Sequence, residues 1–166
     1  MSIAFMALMA IGLLGCSAKP APEVLFPNAT QVEVYGAPAA SSITVDRQGH
    51  VRASGLSKDH TREEAYPATN GGRLTPLEIS TLRATVHFTH PPNEVAACCV
   101  PRHAFLFFDR SGRYLGYLKV CFECGCAEME PFRPPSRERN WISWDYRIVR
   151  QIVVAHGLTP IDDEDH

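Results

Sequence analysis

The chain has 166 residues, 45% of them hydrophobic, and is close to neutral, with 16 Lys and Arg against 18 Asp and Glu. That length fits one domain with a core of its own, and the basic residues are scattered rather than striped, so there is no electrostatic case for a nucleic-acid partner. Of the 6 cysteines, all but Cys16 fall between Cys98 and Cys126, so any thiol chemistry is concentrated there.

Met1 to Leu14 is an apolar run of roughly signal-core length, and it ends in Leu13-Leu14-Gly15-Cys16. This tetrapeptide resembles the lipobox of bacterial lipoproteins. The resemblance implies that residues 1–15 are a signal peptide removed on maturation. It also implies that Cys16 carries a diacylglycerol thioether and that its new amino group takes a fatty acid such as palmitate. Met1-Ser2-Ile3-Ala4 departs from the pattern by lacking the usual basic residues. A spanning helix is the alternative, but the run falls short of the roughly 20 apolar residues needed. Ser17, standing where Asp would signal inner-membrane retention, resembles the outer-membrane address. The implied location is the cell envelope, lipid-anchored at the outer membrane facing the periplasm, with the membrane as partner through Cys16. Cysteines in that oxidising compartment usually form disulfides. With Cys16 acylated an odd number remains, so at least one is unbridged, metal-bound or paired between chains.

Residues 16–29 carry Lys19-Pro20-Ala21-Pro22-Glu23 and Pro27, the composition of a semi-rigid tether. A single domain is expected over 30–160. Val32 and Val34 alternate with polar neighbours from Thr30 to Tyr35, and Ile43–Val45 meets His50–Arg52 across Asp46-Arg47-Gln48-Gly49, which predicts a first group of short strands. Ser57 to Arg73 is polar and turn-rich and reads as a loop. Thr75-Pro76-Leu77-Glu78 is a capping box with proline at the first helical position, which predicts a helix from about Pro76 to His87, stopped before Pro91-Pro92. After a central hairpin, Pro131 to Arg139 is a proline- and arginine-rich loop. A second helix is predicted over about Trp144 to His156, with Gly157-Leu158 as its C-terminal cap. Residues 161–166 form an acidic tail. The order hairpin, helix, hairpin, helix predicts an α+β domain of two layers, in which both hairpins share one antiparallel sheet and both helices cover one face. The turn Asp-Arg-x-Gly occurs in both hairpins, which is compatible with a duplication and equally with chance.

The central hairpin runs from His103-Ala104-Phe105-Leu106-Phe107-Phe108 through Asp109-Arg110-Ser111-Gly112-Arg113 and back from Tyr114. Pairing Asp109 with Arg113 predicts that Phe107 faces Leu115, Phe105 faces Tyr117 and His103 faces Lys119. The core face would then hold Ala104, Leu106, Phe108, Tyr114, Gly116, Leu118, Val120 and Phe122. Cys98 and Cys99 come across from Cys121, Cys124 and Cys126. All five are disulfide candidates, with Cys99 to Cys121 or Cys124 preferred and Cys126 reaching back to Cys98.

The competing reading is a zinc or copper site, or a thiol-reactive one, built from Cys99, His103, Cys121, Cys124 and Cys126. Adjacent Cys98-Cys99 matches zinc-knuckle spacing poorly, which favours a disulfide clasp without cofactor. Cys-x-x-Cys redox catalysis needs its first thiolate stabilised, for instance at a helix N-terminus; Cys121 ends a strand beside Glu123. No complete catalytic constellation forms, and no catalytic residue is assigned. Arg102, Arg133, Arg137 and Arg139 are candidates for an anionic partner, His87 and His90 read as helix-end residues, and Trp141 and Trp144 as core anchors. Cys99-x-Pro101-Arg102-His103 followed by Cys121-Phe122-Glu123-Cys124 resembles uncharacterised bacterial envelope proteins, a resemblance that transfers no activity. The functional expectation is a non-enzymatic lipoprotein whose disulfide-stabilised domain binds another envelope component.

Overall fold

The structure, a computed structural model, describes residues 25–38, 41–56, 63–92 and 99–160. The expected signal peptide, Cys16, most of the tether, Cys98 and the acidic tail lie outside the described residues. In chain order the elements are β1 (Gln31–Gly36), β2 (Ser41–Val45), β3 (Val51–Leu56), β4 (Glu63–Tyr66), β5 (Thr69–Arg73), α1 (Pro76–Thr85), β6 (Val86–Thr89), β7 (His103–Phe108), β8 (Tyr114–Val120), β9 (Ala127–Glu130), β10 (Trp141–Trp144) and α2 (Tyr146–Ala155). They form three antiparallel sheets: a 5-stranded one ordered β5-β1-β7-β8-β9, a 3-stranded one ordered β2-β3-β4, and the pair β10-β6.

The domain is therefore mostly β, and the expected α+β two-layer arrangement is overturned. Hairpin β2–β3 extends through β4 and does not join β7–β8, whose sheet is completed by β1, β5 and β9. Two stretches account for the difference. Residues 57–73 look like a loop because they are polar, yet they contain β4 and β5, each at the edge of its sheet. An edge strand needs backbone partners and no apolar face, so periodicity does not reveal it. Helix α1, expected to reach His87, stops at Thr85, because Val86 and Phe88 suit the strand that pairs with β10. Trp144, expected to open the second helix, ends β10, and α2 starts after Asp145, whose carboxylate accepts from the Ile148 N–H at 3.1 Å.

The helix ends themselves follow their local chemistry. The Thr75 N–H donates to the Glu78 carboxylate at 2.7 Å while the Thr75 hydroxyl accepts from the Glu78 N–H at 3.3 Å, satisfying two donors left open by a helix start. After α2, Gly157 takes a φ of 70° and the Leu158 N–H donates to the Val153 carbonyl at 3.2 Å. Leu158 is buried, the apolar contact such a cap brings.

The register of the central hairpin departs from expectation by one residue. The Asp109 N–H donates to the Arg113 carbonyl at 3.0 Å, but Leu115 bulges out of β8, so Phe107 faces Gly116, Phe105 faces Leu118 and His103 faces Val120. Gly116 permits the bulge: its φ is 149°, and a Cβ there would run into the Glu130 carbonyl. A one-residue slip exchanges faces. Phe105 and Phe107 thus join Leu118, Val120 and Phe122 in the main core, with Val32 and Val34 of β1, Leu82 of α1, and Val149 and Val153 of α2. Ala104 and Leu106 turn the other way, where Ile43 and Ala53 of the smaller sheet cover them. Strand β7 is buried on both faces, which is why its sequence is a continuous apolar run rather than an alternating one.

Candidate functional site

The thiols gather where β8 turns into β9. The Cys121 N–H donates to the Cys126 carbonyl at 2.9 Å and Gly125 takes a φ of 63°, so Cys121 to Cys126 close into a tight turn. Cys99 and Cys126 are joined by a disulfide, their Cα atoms 5.9 Å apart. Cys126 is thus the partner of Cys99 in place of the expected Cys121 or Cys124, because β9, which no local signal predicts, brings it back to Cys99. Cys121 is buried and outside the bridge. Its sulfur lies 2.8 Å from that of Cys124, which is 3.6 Å from that of Cys126, and all three lie within 4.8 Å of one another. Arg102, next to β7, reaches over this turn and pairs with Glu123 at 3.1 Å. Its Nε is buried and has no partner among the described residues.

His103 does not belong to this group. Its ring meets Phe122 edge-on at 5.1 Å between centroids, and neither ring nitrogen has a regular hydrogen-bond partner among the described residues. Burial drives its pKa down to about 4, only partly offset by the Thr159 backbone, while Arg102 lowers it further. The imidazole is thus a neutral core group at ordinary pH, and its nitrogens stand outside the cluster in which the sulfurs of Cys121, Cys124 and Cys126 lie within 4.8 Å of one another.

The second feature is a cleft of about 310 Å³. Leu25 and Phe26 wall one side, Val86, Met129 and Ile142 line it, and Arg133 and His87 stand among its polar members. His87, expected at a helix end, lies in β6 instead. The Leu25 side is fixed by Arg83 of α1, whose guanidinium donates to the carbonyls of Leu25 at 3.1 Å and of Phe26 and Ala29 at 2.7 Å. Phe26 stacks on Phe107 with centroids 4.2 Å apart. Of the arginines singled out in 131–139, Arg133 lines the cleft, while Arg139 donates twice to the Phe88 carbonyl, at 3.2 and 2.8 Å, and so binds its loop to β6.

A third cluster joins the two helices. The His156 Nδ1–H donates to the Gly71 carbonyl at 2.8 Å, and its Nε2 lies 3.3 Å from the Glu78 carboxylate. Burial pushes the Glu78 carboxyl up, but bonds from Thr75 and His156 outweigh it and hold the group below its usual range. The Thr75 hydroxyl donates to Glu78 at 2.8 Å, so the arrangement is a clasp and not a nucleophile activated by a histidine.

Sequence reasoning missed Arg83, Leu25, Phe26 and Met129. Arg83 carries no signal, since a basic residue in a helix's last turn is favourable without any partner. Leu25-Phe26 does carry one: two large apolar residues in a proline-rich tether belong against a core. Among the described residues no helix is long and apolar enough to cross a membrane. Set against protein families, curated proteins and solved structures, the chain finds no match to any of the three.

Proposed function

We propose that this chain is a lipid-anchored envelope protein whose disulfide-stapled β domain binds a small amphipathic anion and catalyses no reaction. The observation that carries the binding half is the cleft. Its volume of about 310 Å³ sits at the lower end of ligand sites, which are mostly apolar with a few placed polar groups. Val86, Met129 and Ile142 supply an apolar interior, and Arg133 supplies a guanidinium suited to a carboxylate or phosphate head. The anchoring half rests on the resemblance of Leu13-Leu14-Gly15-Cys16 to a lipobox.

The two halves are tested separately. Titrating the purified domain with decanoate and following tryptophan fluorescence should give saturable binding of one ligand per chain. Arg133→Glu, at an exposed position, should weaken it by about tenfold or more, the loss of one charge-assisted contact, with unchanged melting. Absence of saturation, or equal affinity in the variant, would rule out this ligand class. Cys16→Ser should move the protein out of the membrane fraction; retention there would rule out the anchor.

A further inference from the structure

The geometry points to a second site, independent of the cleft: a redox-gated zinc site made by Cys99, Cys121, Cys124 and Cys126, open when the Cys99–Cys126 bridge is reduced and closed when it forms. In a tetrahedral zinc tetrathiolate with Zn–S near 2.3 Å, neighbouring sulfurs stand about 3.8 Å apart. The sulfurs of Cys121, Cys124 and Cys126 already lie within 4.8 Å of one another, held by one six-residue turn; Cys124 is 3.6 Å from Cys126, and its 2.8 Å separation from Cys121 has to open by about 1 Å to match three corners of the tetrahedron. The fourth is Cys99, whose sulfur is bonded to that of Cys126 but stands outside the cluster of three, so on reduction it must withdraw from Cys126 to about 3.8 Å and swing in towards Cys121 and Cys124. Cys99 and Val100 lie outside any strand, so this withdrawal breaks no ladder.

A hydrogen-bond donor is at hand. Four thiolates around Zn²⁺ leave two net negative charges, and a coordinated thiolate accepts hydrogen bonds that position it. Arg102 is the cation at the turn, with a buried Nε–H that has no partner among the described residues and its other end tied to Glu123 inside the same turn. His103 is not needed as a ligand, because the sulfurs complete the set.

The gate balances as follows. A dithiol donates two electrons and two protons to the Cys99–Cys126 bond and closes to its own disulfide, leaving two thiols on the chain. The four thiols release four protons to solvent as Zn²⁺ binds. Exchange with a disulfide acceptor runs the reaction backwards, consuming two thiolates, re-forming the bridge and expelling the metal.

The test uses the full chain and Co²⁺, which reports tetrahedral thiolate ligation by its absorption. Protein reduced with dithiothreitol and freed of it should bind one Co²⁺ per chain with a thiolate-to-cobalt charge-transfer band that Zn²⁺ bleaches. The same protein with its bridge intact should lack the band. Cys121→Ser, which leaves the bridge in place before reduction and so folds as the parent does, should weaken binding to the reduced form by about a hundredfold. Circular dichroism on each sample keeps folding separate from ligation. The proposal fails if reduced protein binds no Co²⁺, if the bridged form binds equally, if Cys121→Ser leaves the band unchanged, or if the reduced chain unfolds and the metal does not restore it.

Discussion

His103 places an imidazole in the core against Phe122 and beside Gly36, where a charge is costly. In the unfolded chain that imidazole titrates near 6.5; in the fold burial brings it down to about 4. Below the unfolded value the unfolded chain takes a proton that the folded chain refuses. The stability linked to His103 is therefore fully present above about pH 6.5 and is lost as pH falls towards 4. Its size is on the order of 3 kcal/mol. His103→Phe keeps a ring against Phe122 without the titration, so its urea midpoint should fall much less between those two pH values than the parent's. Parallel curves for the two proteins would assign the acid loss to other groups, Glu78 among them, whose carboxyl is held below its usual range and whose share is lost at lower pH.

At the level of elements, α1 acts on the cleft through one side chain. Arg83 holds three carbonyls of residues 25–29, and charge-assisted bonds of this kind contribute more than neutral ones. Arg83→Ala should cost about 2 kcal/mol in melting experiments and should also weaken decanoate binding, because Leu25 loses its tie. Loss of stability with full decanoate affinity would separate the segment from the ligand site. The elements that could be read in the sequence are those whose signal is local. The capping box at Thr75 and the cap at Gly157 form as their residues specify, and the turns Asp46–Gly49 and Asp109–Gly112 close alike, each aspartate accepting from two backbone N–H groups, at 2.8 and 2.9 Å and at 2.9 and 3.0 Å. What could not be read depends on partners distant in sequence. β4 and β5 are polar edges, β6 exists because β10 lies beside it, and the faces of the central hairpin turn on Leu115 and a glycine whose bulge is set by the Glu130 carbonyl. The thiol site was legible in composition, while the choice of Cys126 as bridge partner waited on β9.

The whole molecule is built about β7, which separates a main core closed by both helices from a smaller core closed by β2 and β3. The bridge ties the approach to β7 to the start of β9, two strands away in the same sheet. It spans a sequence separation of 27 residues, for which loop-closure entropy gives about 3 to 4 kcal/mol of stabilisation, acting mostly on the unfolded chain. Cys99→Ala with Cys126→Ala should therefore lower the stability by that order while the fold and its two cores persist, since no buried apolar contact of β7 is removed. Cys121→Ala should cost no more than about 1 to 2 kcal/mol, the loss of one small buried side chain, because Cys121 is outside the bridge. Urea melts of the two variants against the parent decide it. A larger loss from Cys121→Ala than from the bridge pair would mean that the turn's stability resides in the Cys121 to Cys124 contact, and that the staple between β7 and β9 is secondary to it.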